Sequence, residues 1–262
     1  MLWQKSWWET RWVLLLCMTI LLFFAVWLLS MGHAGLDHWV SSLRNLTTTG
    51  REANSLLPLL GSYRGYLWGI WFRNQLLITF PIFAIGMGGT FSYSSCPWMS
   101  GGAARPAAGL FTFSLPVSRR RVLLTHAAVV ASELVMVAFL PSFMFPLVSH
   151  LSGLGSIPFG STAVHALLFA LGGMVFLAIS YLLIALFNSQ WLVMAFGFPV
   201  SFALFFPFRI AEGFPRWNLY HVMSGETYFL YGRIPWLELL VWSAIAAAFF
   251  LLAVRLLERR DF

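Results

Sequence analysis

The sequence predicts an all-α, polytopic membrane protein with six transmembrane helices and an N-terminal interfacial helix, and three observations lead there. Hydrophobic residues make up 60% of the 262 and charged residues only 10%, against roughly 25% charged in an ordinary soluble domain. A soluble domain so composed would expose apolar patches beyond the few hundred Å² that monomers tolerate, whereas a bilayer solvates such faces. The apolar residues gather in runs close to the ~20 that a helix needs to cross the hydrocarbon core. The 13 Trp and 26 Phe suit a chain in lipid, and Trp in particular is enriched where hydrocarbon meets water.

Taken in order, the chain opens with Trp3, Trp7 and Trp8 among Lys5 and Arg11. Indoles interleaved with cations suit a helix over 1–11 lying in the membrane interface. The first span covers about 12–31. It is longer than a signal-peptide core and lacks a small-residue cleavage site, so it reads as a retained helix. The second span, about 71–91, starts awkwardly with Arg73, Asn74 and Gln75. The third, about 122–149, carries Pro141 and Pro146; the fourth covers about 164–187. The fifth, about 191–208, holds Pro199 and Pro207, and only Asn188, Ser189 and Gln190 separate it from the fourth. Those two spans must form a tight antiparallel hairpin. The sixth covers about 236–254. Gly86, Gly88, Gly89, Gly172 and Gly173 permit close helix approach.

The connectors differ in kind. Within 33–70, Leu36, Trp39, Val40 and Leu43 recur at amphipathic helical spacing. The connector 209–235 mixes Trp217, Tyr220, Tyr228, Phe229 and Tyr231 with Arg216, Glu226 and Arg233. It is apolar enough to lie on the membrane or re-enter it.

The formal charge of +7 and pI near 10.0 do not indicate nucleic acid. The only lysine is Lys5, and the arginines flank apolar runs instead of forming a stripe. With a cytoplasmic N-terminus, Lys5, Arg11, Arg105, Arg119, Arg120, Arg121, Arg255, Arg259 and Arg260 fall inside. Arg44, Arg51, Arg64, Arg73, Arg209, Arg216 and Arg233 fall outside. The inner connectors are shorter, and most inner charges sit next to a span, where the positive-inside rule counts them. Both termini are therefore expected in the cytoplasm, with the chain multi-pass in a bacterial-type inner (plasma) membrane. Cys17 and Cys96 build no disulfide framework or zinc pattern. His33, His38, His126, His150, His165 and His221 make no metal-ligand spacing, and His126 and His165 read as packed within helices.

The most informative stretch runs Gly109-Leu110-Phe111-Thr112-Phe113-Ser114-Leu115-Pro116-Val117-Ser118-Arg119-Arg120-Arg121. Pro116 disfavours helix at Leu115, so a short helix over about 104–114 ends there. Ser118 is then placed to cap the third span. Leu115-Pro116-Val117-Ser118-Arg119-Arg120 resembles the "LPVSR" segment of ABC-2-type permeases, the membrane halves of one class of ABC exporter. In that family it also lies between the second and third spans. Lys5-Ser6-Trp7-Trp8-Glu9-Thr10-Arg11-Trp12 resembles the family's N-terminal segment, and Glu258-Arg259-Arg260-Asp261 its basic ending. The likeness is sharp over about ten residues and otherwise one of layout. Gly109-Leu110 stands where the family has Gly-Thr, and no acidic residue lies between Phe91 and Ala108.

The resemblance implies a permease subunit that forms the translocation pathway and couples to a separate ABC ATP-binding subunit. It implies that Gly109, Leu110, Phe111, Phe113, Leu115, Pro116, Ser118 and Arg119, within a cytoplasmic segment over about 104–121, meet that subunit. It also implies a second permease copy or paralogue, with membrane lipids as surroundings. ATP and Mg would then reside on the partner, and no cofactor on this chain. The sequence holds no G-x-x-x-x-G-K-[ST] loop, so ATP hydrolysis must come from elsewhere. The chain is accordingly read as a non-enzyme.

Glu133 is the other singular residue, about three turns into the third span. A carboxyl at that depth costs a few kcal/mol, so it faces protein or water and has a partner or a proton. It is either a contact in the transport pathway or a buried anchor between helices. The competing readings of the chain are an intramembrane enzyme and a proton-coupled carrier using Glu133. No nucleophile and base at matching depth support the enzyme.

Overall fold

In the computed structural model, every regular element among the described residues is helical. The structure describes residues 2–47, 58–91, 118–152, 157–187, 189–210 and 217–259. Five helices are long and apolar enough to cross a membrane: α1 (Leu2–Thr47), α2 (Tyr63–Gly89), α3 (Arg119–Ser152), α4 (Phe159–Phe187) and α8 (Trp236–Glu258). A further apolar helix, α5 (Gln190–Ile210), follows α4 directly. Two short helices, α6 (Leu219–Ser224) and α7 (Glu226–Tyr231), occupy the connector before α8.

α4 is the axis of the bundle. Across its most apolar stretch 72% of the residues are buried, against 22% for α8, so α4 faces protein on nearly all sides. It packs against α8, α2, α3, α5 and α6, while α1 rests mainly on α3. In lipid no water-exclusion force drives helices together, so close van der Waals approach must do it. Gly172 and Gly173 supply that approach. A Cβ on Gly173 would overlap the Phe80 ring, and one on Gly172 would overlap Met223. Gly88 does the same for α2, where Ser180 sits against it and donates to the Ile85 carbonyl at 3.1 Å.

The helix limits depart from the sequence expectations in two places. No separate interfacial helix over 1–11 is set apart. α1 runs unbroken from Leu2 until Gly32, whose φ of 44° and ψ of −123° turn the chain. Its buried residues are Ser6, Thr10, Leu14, Cys17, Leu21, Ala25 and Leu28. They recur every three or four positions and so form one face. That face passes through residue 12 without a change of phase, and residues 6 and 10 pack into the bundle with the rest. The second span begins earlier than expected, at Tyr63 in place of about 71. Ser62 caps it, its Oγ accepting from the Gly65 N–H at 3.1 Å. The polar Arg73-Asn74-Gln75 run falls inside a π-helical stretch, Trp68–Leu76. There Asn74 Nδ2 donates to the Gly69 carbonyl, five residues back, at 2.8 Å.

Beyond Gly32 the end of α1 folds over α2. Trp39 Nε1 donates to the Leu60 carbonyl at 2.9 Å. Its ring lies on Gly69, where a Cβ would come within 2.6 Å. Leu36 and Trp39 both pack on the core, as the amphipathic spacing requires.

Candidate functional site

The bundle has a near end, where α1 and α3 begin, and a far end, where α4 and α8 begin. Polar side chains gather at both. At the near end they form a buried seam. On α3, Leu123, His126, Val130, Glu133 and Val137 are buried and share one face through three- and four-residue steps. His126 and Glu133, seven apart, therefore point the same way. The Glu133 side chain is 0% exposed, as is Thr10 of α1. The Thr10 hydroxyl is hydrogen-bonded to Glu133 Oε1 at 2.5 Å. The same hydroxyl lies 3.1 Å from the Ser6 carbonyl and 3.4 Å from that of Trp7. Glu133 Oε2 is buried with no hydrogen-bond partner. His126 bridges two further helices, its Nδ1 2.7 Å from the Tyr181 hydroxyl of α4 and its Nε2 3.2 Å from Thr90 Oγ1 after α2. Phe91 closes the group, its ring 5.1 Å from the imidazole.

At the far end an aromatic ladder ties α6 and α7 to α2. The Trp68 and Phe229 rings stack at 4.5 Å, with planes 5° apart. Arg64 lies over Phe229 at 5.6 Å and Arg73 over Trp68 at 5.4 Å. Each guanidinium is attracted by the ring quadrupole beneath it. The spacing is a product of helix type. Arg64 precedes Trp68 by one α-turn, and Arg73 follows it by five residues through the π-helical stretch, which returns it to the same side. Trp68 Nε1 also donates to the Ser224 carbonyl at 2.9 Å, at the joint between α6 and α7. That joint is Gly225, with φ of 63°, and a Cβ there would overlap the His165 imidazole. His165 itself stacks on Phe72 at 4.8 Å. Arg64 also donates to Ser161 Oγ at 3.2 Å. The connector 209–235 is thus partly helical and built into the bundle, with Leu219, Tyr220, Val222, Met223 and Phe229 buried.

His221 and Glu226 face each other across this hairpin, Nδ1 to Oε2 at 3.6 Å. That is too long for a good hydrogen bond, and the contact joins opposite charges when the imidazole is protonated. Burial raises the Glu226 pKa, but His221 and the Arg73 guanidinium outweigh it and hold the carboxyl below its ordinary value.

Of the residues singled out from the sequence, Gly109, Leu110, Phe111, Phe113, Leu115 and Pro116 lie outside the described residues. Ser118 does what its position predicts. Its Oγ accepts from the Arg121 N–H at 3.3 Å, and its carbonyl accepts from Val122 at 3.2 Å. Arg119 is the first residue of α3. Glu133 lies some four turns further along the same helix, apart from that cap. Among the described residues no group of three or more His, Cys, Asp or Glu could hold a metal ion. Thr10, His126 with Tyr181, and the Arg64–Trp68–Arg73 row were not singled out as sites. The seven-residue step from His126 to Glu133 was the available signal for the seam. Nothing short of the π-helical stretch could have aligned Arg73 with Arg64.

Comparison with family models, with curated proteins and with solved structures gives no match. The multi-pass membrane character rests on the apolar helices themselves.

Proposed function

We propose that this chain is the permease subunit of an ATP-driven exporter, similar to the ABC-2 type, with six spans and both termini in the cytoplasm. α5, the fifth span in chain order, brings the number to six. Its 21 residues reach about 31 Å at 1.5 Å each, the thickness of a hydrocarbon core. The helices α6 and α7 then form a re-entrant hairpin on the outer side, held by the ladder. A second copy or a paralogue completes the pathway, and a separate subunit binds ATP and Mg.

The observation that carries this reading is the Ser118 cap on α3, which in sequence directly follows the Leu115-Pro116-Val117 motif. A cap fixes the direction in which a connector enters its helix. A push that reaches Ser118 would therefore be delivered along a 34-residue helix. Leu110, Phe111 and Phe113 offer the apolar anchors that such a contact needs.

The test is site-specific photocrosslinking from Leu110 or Phe111 to an ATP-binding subunit encoded or co-purified with this chain. Adducts at these positions, and none from Leu251 on lipid-facing α8, are expected. A functional complex with no adduct anywhere over 104–117 would remove the coupling assignment.

A further inference from the structure

The near-end seam buries a carboxyl that has one shared hydrogen and, among the described residues, no cation beside it. A threonine hydroxyl has one hydrogen to give. At Thr10 three acceptors surround it: the Ser6 carbonyl, the Trp7 carbonyl and Glu133 Oε1. The carboxyl is 0% exposed and its Oε2 has no partner. Among the described residues no cation forms a salt bridge with it; Lys5 pairs with Glu9 at 3.0 Å. An ionised Glu133 would hold a full charge between helices on a share of one hydrogen, which neither protein interiors nor bilayers tolerate cheaply. A neutral acid resolves the conflict, because it brings a hydrogen of its own.

We propose that Glu133 is a proton-binding site that fastens α1 to α3. The carboxyl O–H donates to Thr10 Oγ1. Thr10 is then free to donate to the Ser6 carbonyl, and Oε2, without a partner, is left as part of a neutral acid instead of a buried charge. When the O–H bond breaks, the electron pair stays on the carboxylate and the proton passes to water at the near end. Thr10 must then abandon Ser6 to serve the charge, and water must enter to solvate it. The α1–α3 joint opens. Acid closes the joint and base opens it, whichever energy source drives the bundle.

The groups facing the carboxyl from each neighbouring element are few. Cys17 on α1 and Tyr181 on α4 are close enough to interact with it electrostatically. On α3 itself, His126 is engaged by Tyr181 and Thr90. α2 contributes no charged group at this end, since its cations are Arg64 and Arg73 at the far end. α8 carries Arg255 and Glu258, both exposed near its end. α1 also carries Lys5, which pairs with Glu9 at 3.0 Å and reaches His126 electrostatically, and Arg11, which lies over Trp8; neither forms a salt bridge with Glu133.

The test uses the full chain in lipid nanodiscs, wild type beside Glu133→Gln and Thr10→Val. Infrared spectra taken across a pH series report the carbonyl stretch of a protonated carboxylic acid. Wild type should show a band that disappears as pH rises and that Glu133→Gln lacks at every pH. Thr10→Val should move the band's frequency, because the acid loses its acceptor. Amide hydrogen exchange through residues 6–14, corrected for intrinsic rates, should speed up on the order of tenfold as the band is lost, as expected when a buried hydrogen-bonded contact opens. Glu133→Gln, whose amide also donates to Thr10, should show no such step. If Glu133→Gln does not fold, the wild-type and Thr10→Val spectra still decide. The proposal is overturned if no Glu133 band exists at any pH. It is equally overturned if the band never titrates while the protein stays folded, or if exchange is unaltered when the band is lost.

Discussion

At the scale of single residues, the fold depends on where side chains are missing. Gly173 is the sharpest case, since any Cβ there meets the buried Phe80 ring. A ring held on all sides by α2 and α4 cannot give way. Gly173→Val should therefore cost about 1–3 kcal/mol, the usual penalty for overpacking, read as a lowered unfolding temperature in detergent. Gly172→Ala should also destabilise, because the atom it meets first is Met223 Cγ, near the root of a fully buried side chain. Ser118 acts in the opposite sense, through an atom that is present. Ser118→Ala removes the acceptor for the Arg121 N–H and should cost about 1 kcal/mol. The check is faster amide exchange confined to the first turn of α3.

At the scale of elements, the α6–α7 hairpin stands out as a piece that one interaction set secures. Phe229 sits between Arg64 and Trp68 in the ladder. Phe229→Ala should loosen the hairpin by about 3–5 kcal/mol, the range for deleting a buried aromatic. Protease should then cut within 217–235 while the long helices stay intact. The hairpin should also respond to acid. Glu226 has its pKa lowered in the folded state, against burial, by His221 and Arg73. A carboxyl with a lowered folded pKa stabilises the fold above its unfolded pKa, and that contribution is lost as pH falls through the folded value. Hairpin protection should thus decline below the ordinary carboxylate range, and Glu226→Gln should flatten that decline. The π-helical stretch belongs to this scale too. π-Helical turns often mark functional positions, and here the stretch sets Arg73 over Trp68, whose ring stacks on the Phe229 ring that Arg64 covers.

For the whole molecule, the question is how many times the chain crosses. With α5 crossing, the two termini lie on the same side; without it, they lie on opposite sides. Reporter fusions that are active only in the cytoplasm should be active at both ends. Activity at one end alone would leave five crossings and remove the exporter topology. The central place of α4 makes a further statement about the whole. α2, α3, α5, α6 and α8 all lean on it, so it is the element through which motion of one is most directly passed to the others.

The sequence by itself determined that the chain is helical and apolar enough for a membrane, and where most of its long helices lie. The runs near residues 12–31, 122–149, 164–187 and 236–254 are visible because lipid demands an unbroken apolar stretch. Ser118 was readable as a cap because capping depends on adjacent residues alone. Glu133 was readable as singular because any carboxyl at that depth is. Its partner was not, because Thr10 lies 123 residues away and one hydroxyl among many carries no mark in sequence. Tertiary structure alone decided that residues 2–11 continue α1's buried face instead of lying apart, because packing on α3 rewards that phase. It alone decided that Arg73 enters an aromatic ladder instead of ending a span. Apolar length is a local property of the chain. The pairing of one polar group with another is set by which helix faces meet, and that is settled only when all of them pack together.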